Sequence, residues 1–118
     1  MIKMSNLSLK AKFWLELNSK CSIGLGKIEL LKKIQKLGSI SKAAKEMGMS
    51  YKHAWQMVEE MNSCFSSPLV VKKKGGLQGG GTTLTEKGKK LLESFSNLDS
   101  ELSSFLKQKE KELKRIFE

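Results

Sequence analysis

Apolar residues recur along this chain in two rhythms, and each change of rhythm marks an element. Over residues 13–17 they alternate, with Phe13, Leu15 and Leu17 on one side and Trp14 and Glu16 on the other, the two-residue period of a strand. Asn18, Ser19 and Lys20 can turn, and residues 21–23 can return, so a small hairpin is predicted, with Trp14 packing rather than serving as a ligand platform. Gly24 and Gly26 release the chain into a helix over 27–37, buried along Leu30, Leu31, Ile34 and Leu37, with Glu29 facing Lys33 at i,i+4. Gly38 ends it. Two short helical patterns follow without a linker. Ser39 and Ser41 each offer an N-capping oxygen, Ala43, Ala44 and Met47 give a small apolar face, Gly48 suits a left-handed C-cap, and Ser50 can cap the next helix. There Ala54, Val58, Met61 and Phe65 fall on one stripe at about 100° per residue, with Met57 beside it. Helix, tight glycine turn and helix make a helix-turn-helix, and the two alanines let the helices cross closely.

Beyond it, residues 69–73 read as a strand and 82–84 as its partner. The connection 75–81 holds five of the ten glycines. A nucleotide loop would end in G-K-[ST], which is missing, so the hairpin reads as a wing. Thr85 can cap a last helix running to Glu118. Leu91, Phe95, Leu98, Leu102 and Phe105 are spaced 4-3-4-3 along it, the seam of a coiled coil, before the stripe shifts to Leu106, Leu113, Ile116 and Phe117. Such a helix would be about 50 Å long, more than the preceding body can cover. A second subunit is the natural cover, and a two-fold dimer the commonest closed assembly; the alternative is a helix folded back on its own domain. The expected fold is therefore mainly α with a small β-wing: a winged helix-turn-helix with an N-terminal hairpin over 1–85, then a long dimerisation helix over 86–118.

Charge sharpens this picture. The formal net charge is +10 and the pI about 9.7, which points to a polyanionic partner. The excess is segregated: residues 1–85 carry 14 Lys against 5 Glu, while 86–118 are nearly balanced. Arg115 is the only arginine, so the groove-entering helix lacks the bidentate Arg–guanine contact and relies on lysine, mainly a phosphate-binding point charge. On that helix Lys52 and Gln56 lie opposite the core stripe, with His53 at one edge and Ser50 at the start. Gln pairs with adenine, and Lys with guanine or phosphate. Glu59 and Glu60 would repel phosphates, so only the N-terminal half enters the groove, as such helices dock. The expected DNA contacts are Ser39, Ser41 and Lys42; Ser50, Tyr51, Lys52, His53 and Gln56; and Lys72, Lys73, Lys74, Gln78 and Thr82 on the wing. The competing reading is a protein-interaction adaptor, against which the clustered lysines and Gln56 weigh.

Other chemistry is thin. One histidine, one aspartate and no nucleophile–base pair argue against an enzyme, and neither metal nor cofactor is expected. Cys21 and Cys64 lack metal-ligand spacing and read as two unpaired thiols in a reducing cytoplasm. No apolar run reaches membrane-spanning length and no signal-peptide core opens the chain, so the protein reads as cytoplasmic.

The segments G-S-I-S-K-A-A-K-E-M-G-M-S-Y-K-H-A-W, E-M-N, P-L-V, G-G-L-Q-G-G-G and L-T-E-K-G, with W-L-E-L and L-L-K-K-I upstream, resemble the N-terminal DNA-binding domain of the molybdate-responsive (ModE-type) transcriptional regulators. More remotely they resemble the LysR-type winged helix. The resemblance runs over about 13–92. It implies a winged-helix dimer on a palindromic operator in double-stranded DNA, with the recognition helix at 50–62 and the wing at 72–83. Full-length members carry C-terminal molybdate-binding domains; the sequence stops at Glu118, so molybdate sensing is not expected to carry over.

Overall fold

The computed structural model describes residues 3–73 and 81–118. Lys74 and Gln78, both expected on the wing, lie outside the described residues. In chain order the elements are a 3-10 turn at Met4–Asn6, β1 (Leu15–Leu17), β2 (Cys21–Ile23), α1 (Leu25–Leu37), α2 (Ile40–Glu46), α3 (Tyr51–Ser63), β3 (Val70–Lys72), β4 (Thr82–Leu84) and α4 (Glu86–Ile116). By contact density the chain divides into one unit of Trp14–Glu93 and another of Met1–Phe13 with Ser94–Glu118. The expected division fell at 85/86 instead. None of the helices among the described residues is long and apolar enough to cross a membrane.

In the larger unit β1 and β2 pair antiparallel, Leu15 opposite Ile23 and Leu17 opposite Cys21. Asn18 and Ser19 both take positive φ, the left-handed pair that matches a tight hairpin turn to the twist of its strands. Ile28, Leu30, Leu31 and Ile34 bury one side of α1. At roughly 1.5–3 kcal/mol for each fully buried side chain, this stripe is the centre of the core. Ala43 and Ala44 of α2 and Ala54, Val58 and Met61 of α3 close over it. Three expectations shift at the margin: Leu37 is only half-buried, Phe65 lies beyond the end of α3 and is also only half-buried, and Trp14 is 55% exposed rather than packed.

The cysteines overturn another. Cys21, at the start of β2, and Cys64, the C-cap of α3, form a disulfide with their Cα atoms 5.7 Å apart, within the range a bridge requires. They are not free thiols. A separation of 43 residues carries no sign of contact; packing β2 against the end of α3 creates it.

In the smaller unit the N-terminal segment lies along the later turns of α4. Phe13 stacks on Phe95, with ring centroids 4.6 Å apart, and the Leu9 N–H donates to Glu110 Oε2 at 2.9 Å. Phe95, expected to face a second subunit, is thus buried by its own chain. Leu102 is half-buried, whereas Leu98 and Phe105 stay 53% and 55% exposed.

Two predictions follow from these ties. In the loop-closure picture a bridge over this span contributes about 3–4 kcal/mol. Reducing the protein, or replacing Cys21 and Cys64 with Ser, should lower Tm by roughly 12–30 °C and leave the far-ultraviolet circular dichroism at room temperature unchanged. The Leu9 bond holds the Glu110 carboxyl below the ordinary glutamate value of 4.5, with nearby Lys114 and Lys107 adding to it. A depressed carboxyl contributes stability above its unfolded pKa and loses it as pH falls through the folded one. The Leu9 amide proton resonance should therefore titrate with a midpoint below 4.5, and that titration should vanish in Glu110→Ala.

Candidate nucleic-acid interface

The surface where α3 begins is built by capping. Ser39 Oγ accepts the Lys42 N–H at 3.1 Å and starts α2. That helix ends in a paired lock: the Gly48 N–H donates to Lys45 O and the Met49 N–H to Ala44 O, with Gly48 at φ 69°. This is the glycine-terminated motif that satisfies the last carbonyls. Two residues later Ser50 Oγ accepts the His53 N–H at 3.1 Å and starts α3. Ser39 and Ser50 are therefore helix caps in this fold, whereas Ser41 makes no cap and is exposed. Because Ala54, Val58 and Met61 anchor α3 to the core, Lys52, His53 and Gln56 are left exposed on its other sides.

The wing is held by one side chain that the sequence reading gave no role. Asn62 Oδ1 accepts the N–H groups of Leu69 and Val70 at 2.8 and 3.1 Å, and its Nδ2 donates to Val70 O at 2.9 Å. β3 then pairs with β4, Val70 opposite Leu84 and Lys72 opposite Thr82. At the far side the Thr82 N–H donates to Gly38 O at 2.9 Å. Gly81 has to be glycine, since a Cβ there would stand 2.5 Å from that carbonyl oxygen. Thr85 Oγ1 caps α4 by accepting the Gly88 N–H, and a Cβ on Gly88 would collide with the Leu69 carbonyl.

Between α2, α3 and the wing lies an open cleft of about 340 Å³. It gathers five of the expected contact residues: Ser39, Ser41, Tyr51, Lys72 and Thr82. Lys42, Ser50, Lys52, His53, Gln56 and Lys73 are exposed but do not line it. The cleft also contains Trp55, Glu59 and Val71, which the sequence reading did not select. Trp55 had a usable signal, because it follows buried Ala54 and so points about 100° away from the core stripe.

Charge is distributed unevenly around it. Lys42, Lys45, Lys52, Lys72 and Lys73 are exposed and make no ion pair among the described residues. The carboxylates of the same unit are more often engaged. Glu60 meets Lys27 at 3.1 Å, and Lys33 bridges Glu46 at 2.6 Å and Glu29 at 3.8 Å. The Lys33 hydrogen bond, then its charge, holds the Glu46 carboxyl below the usual range. Free positive charge on the elements that line a cleft is what a polyanion needs.

The sequence pattern of the bacterial regulatory helix-turn-helix proteins, lysR family, matches residues 25–89. The chain belongs to this family. Its members are regulators of transcription, not enzymes. Within lysR-type helix-turn-helix proteins, the chain is similar to the molybdenum-pterin-binding protein MopB of Rhodobacter capsulatus, 40% identical over 91 residues, 77% of this chain and 34% of that protein. It is similar to the molybdenum transport protein ModE of Azotobacter vinelandii, 40% identical over 76% of this chain and 33% of that protein. The DNA-binding transcriptional dual regulator ModE of Escherichia coli is 42% identical over 71% of this chain and 32% of that protein. The chain thus spans about a third of the length of these relatives. A crystal structure of a LysR family transcriptional regulator shares the fold at TM-score 0.52 and 22% identity, covering 66% of this chain and 25% of that one.

Within this lysR-type domain Asn62 satisfies backbone groups of two buried residues, Leu69 and Val70. Asn62→Ala should cost about 2–3 kcal/mol by leaving them without partners. Hydrogen exchange should speed first at Leu69 and Val70, ahead of the α1 core; uniform loss of protection would mean that Asn62 does not hold the wing.

Proposed function

We propose that this chain grips double-stranded DNA as a symmetric dimer, with one helix-turn-helix in each half of a palindromic operator, as the DNA-binding part of a ModE-type regulator. The observation that carries the reading is the group of exposed lysines, Lys42, Lys45, Lys52, Lys72 and Lys73, that have no ion-pair partner among the described residues of a lysR-type domain. Lysine contacts to phosphate supply affinity and fix register, and base-edge contacts choose the sequence. α3 enters the major groove by its first two turns, where Lys52 and Gln56 reach base edges. Glu59 and Glu60 keep its later turns off the backbone. Lys72 and Lys73 clamp the neighbouring phosphates from the wing. The second copy packs on α4 at Leu98 and Phe105, the seam residues that the chain leaves most exposed. Two-fold symmetry sets the two copies of α3 about one turn of DNA apart, roughly 34–36 Å. A regulator of transcription acts where the DNA is, so the chain works in the cytoplasm. The part shared with the relatives is their N-terminal part, so DNA binding is carried over to this chain and molybdate recognition is not.

One titration series tests the reading. Affinity for a selected duplex should fall roughly 10³–10⁵-fold between 50 and 200 mM salt if the dimer neutralises about 6–10 phosphates. Gln56→Ala should lose about 1–3 kcal/mol on the cognate duplex and relax one position, whereas Lys73→Ala should weaken cognate and scrambled duplexes alike. Leu98→Glu with Phe105→Glu should give a folded monomer by light scattering that has lost most of its operator affinity. Salt-insensitive binding, or an unchanged dimer, would count against it.

A further inference from the structure

Two aromatic side chains on α3 are exposed, and Val71 of β3, 37% exposed, lines the same cleft. Tyr51 is 55% and Trp55 45% exposed. They are one turn apart, on the side of the helix that opens into the cleft, with Val71 and Lys72 among the facing residues. Their burial awaits a partner, and charge restricts what it is: Lys52 adjoins Tyr51 on the same helix, and Lys72 lines the same cleft. An acidic partner fits, and the proposed function supplies one in duplex DNA. Along the base edges of a major groove the donors and acceptors are polar, and the C5-methyl of thymine is the apolar group. An aromatic ring carried into that groove buries its surface against that methyl, while the Tyr hydroxyl and the indole N–H remain free to donate to nearby acceptors.

We propose that Tyr51 and Trp55 are specificity-determining residues that read thymine, each by packing on a C5-methyl group in the major groove. The inference rests on the DNA-binding reading and deepens it. Four residues apart, the rings are displaced by about 6 Å along the axis of α3, so they meet different base pairs of one half-site. Glu59, four residues beyond Trp55 and also lining the cleft, repels phosphate there and confines the contact to the first two turns. Gln56, exposed beside Trp55 in sequence, supplies the polar half of the readout.

The test removes the methyl and nothing else. Duplexes that the full chain retains are selected from a random-sequence pool, and each thymine is then replaced singly by deoxyuridine. Wild-type protein should lose affinity at one or two positions per half-site, by about fourfold each, the worth of burying one methyl-sized group. Trp55→Ala should bind the parent duplex more weakly and become indifferent to uracil at one of those positions; Tyr51→Ala should do so at another. Both variants should keep the salt-dependent binding to scrambled duplex that the lysines provide, which also shows that they fold. An enriched site indifferent to uracil throughout overturns this proposal and leaves the DNA-binding reading standing. So does a Trp55→Ala protein that keeps every uracil penalty of the wild type, together with a Tyr51→Ala protein that does the same. A pool from which nothing is enriched defeats the DNA-binding reading and this proposal together.

Discussion

Asn62 joins two parts of this domain, the end of α3 and the start of the wing. It sits on the last turns of α3 and hydrogen-bonds to the backbone where β3 begins. A carboxamide is suited to the task, because one oxygen accepts two N–H groups while the nitrogen returns a donor to a carbonyl. The orientation of the wing relative to α3 is thus set by directional bonds near the core rather than by a long loop. Gly81 and Gly38 repeat the device from the other strand, where the Thr82 N–H reaches the end of α1. A hairpin fixed at both strands can place Lys72 reproducibly with respect to Tyr51 and Trp55, and the cleft between them exists because of those ties.

Much of this was legible in the sequence wherever the determinant is local. Ser39, Ser50 and Thr85 cap the helices they precede, and Gly38 and Gly48 take the left-handed conformation at helix ends. In each case the residue acts on amides and carbonyls within a few positions of itself. What escaped was long-range. Nothing in the spacing of Cys21 and Cys64 reveals that β2 packs beside the end of α3. Phe13 read as the first residue of the alternating strand, so its stacking on Phe95 could not be read, and the regular 4-3 seam made Phe95 look like the outward-facing residues around it. At the site, charge and helical phase selected the polar candidates. Trp55 was harder to see, since a tryptophan beside a core stripe is usually packed, and only the three-dimensional surroundings leave it half open.

Electrostatics adds a division of labour. Lys27 and Lys33 belong to α1 and spend their charge on Glu60, Glu46 and Glu29. Exposed pairs of this kind add little to stability, and each cancels one positive charge with one negative, so the positive field of the domain comes from the lysines left over, Lys32 and Lys36 of α1 among them. The lysines of α2, α3 and β3 named above remain unpaired among the described residues. The same residue type therefore does opposite jobs according to whether a glutamate lies within reach.

The bond between Cys21 and Cys64 has a topological consequence. It closes residues 21–64 into a covalent ring that contains α1, α2 and all of α3, with the wing and α4 attached outside it. A protease that cuts once in either turn between these helices opens the ring without releasing a fragment, so the nicked domain would migrate as one molecule until it is reduced. The three helices that supply most of the core are in this sense a single unit, which one backbone break within the ring cannot divide.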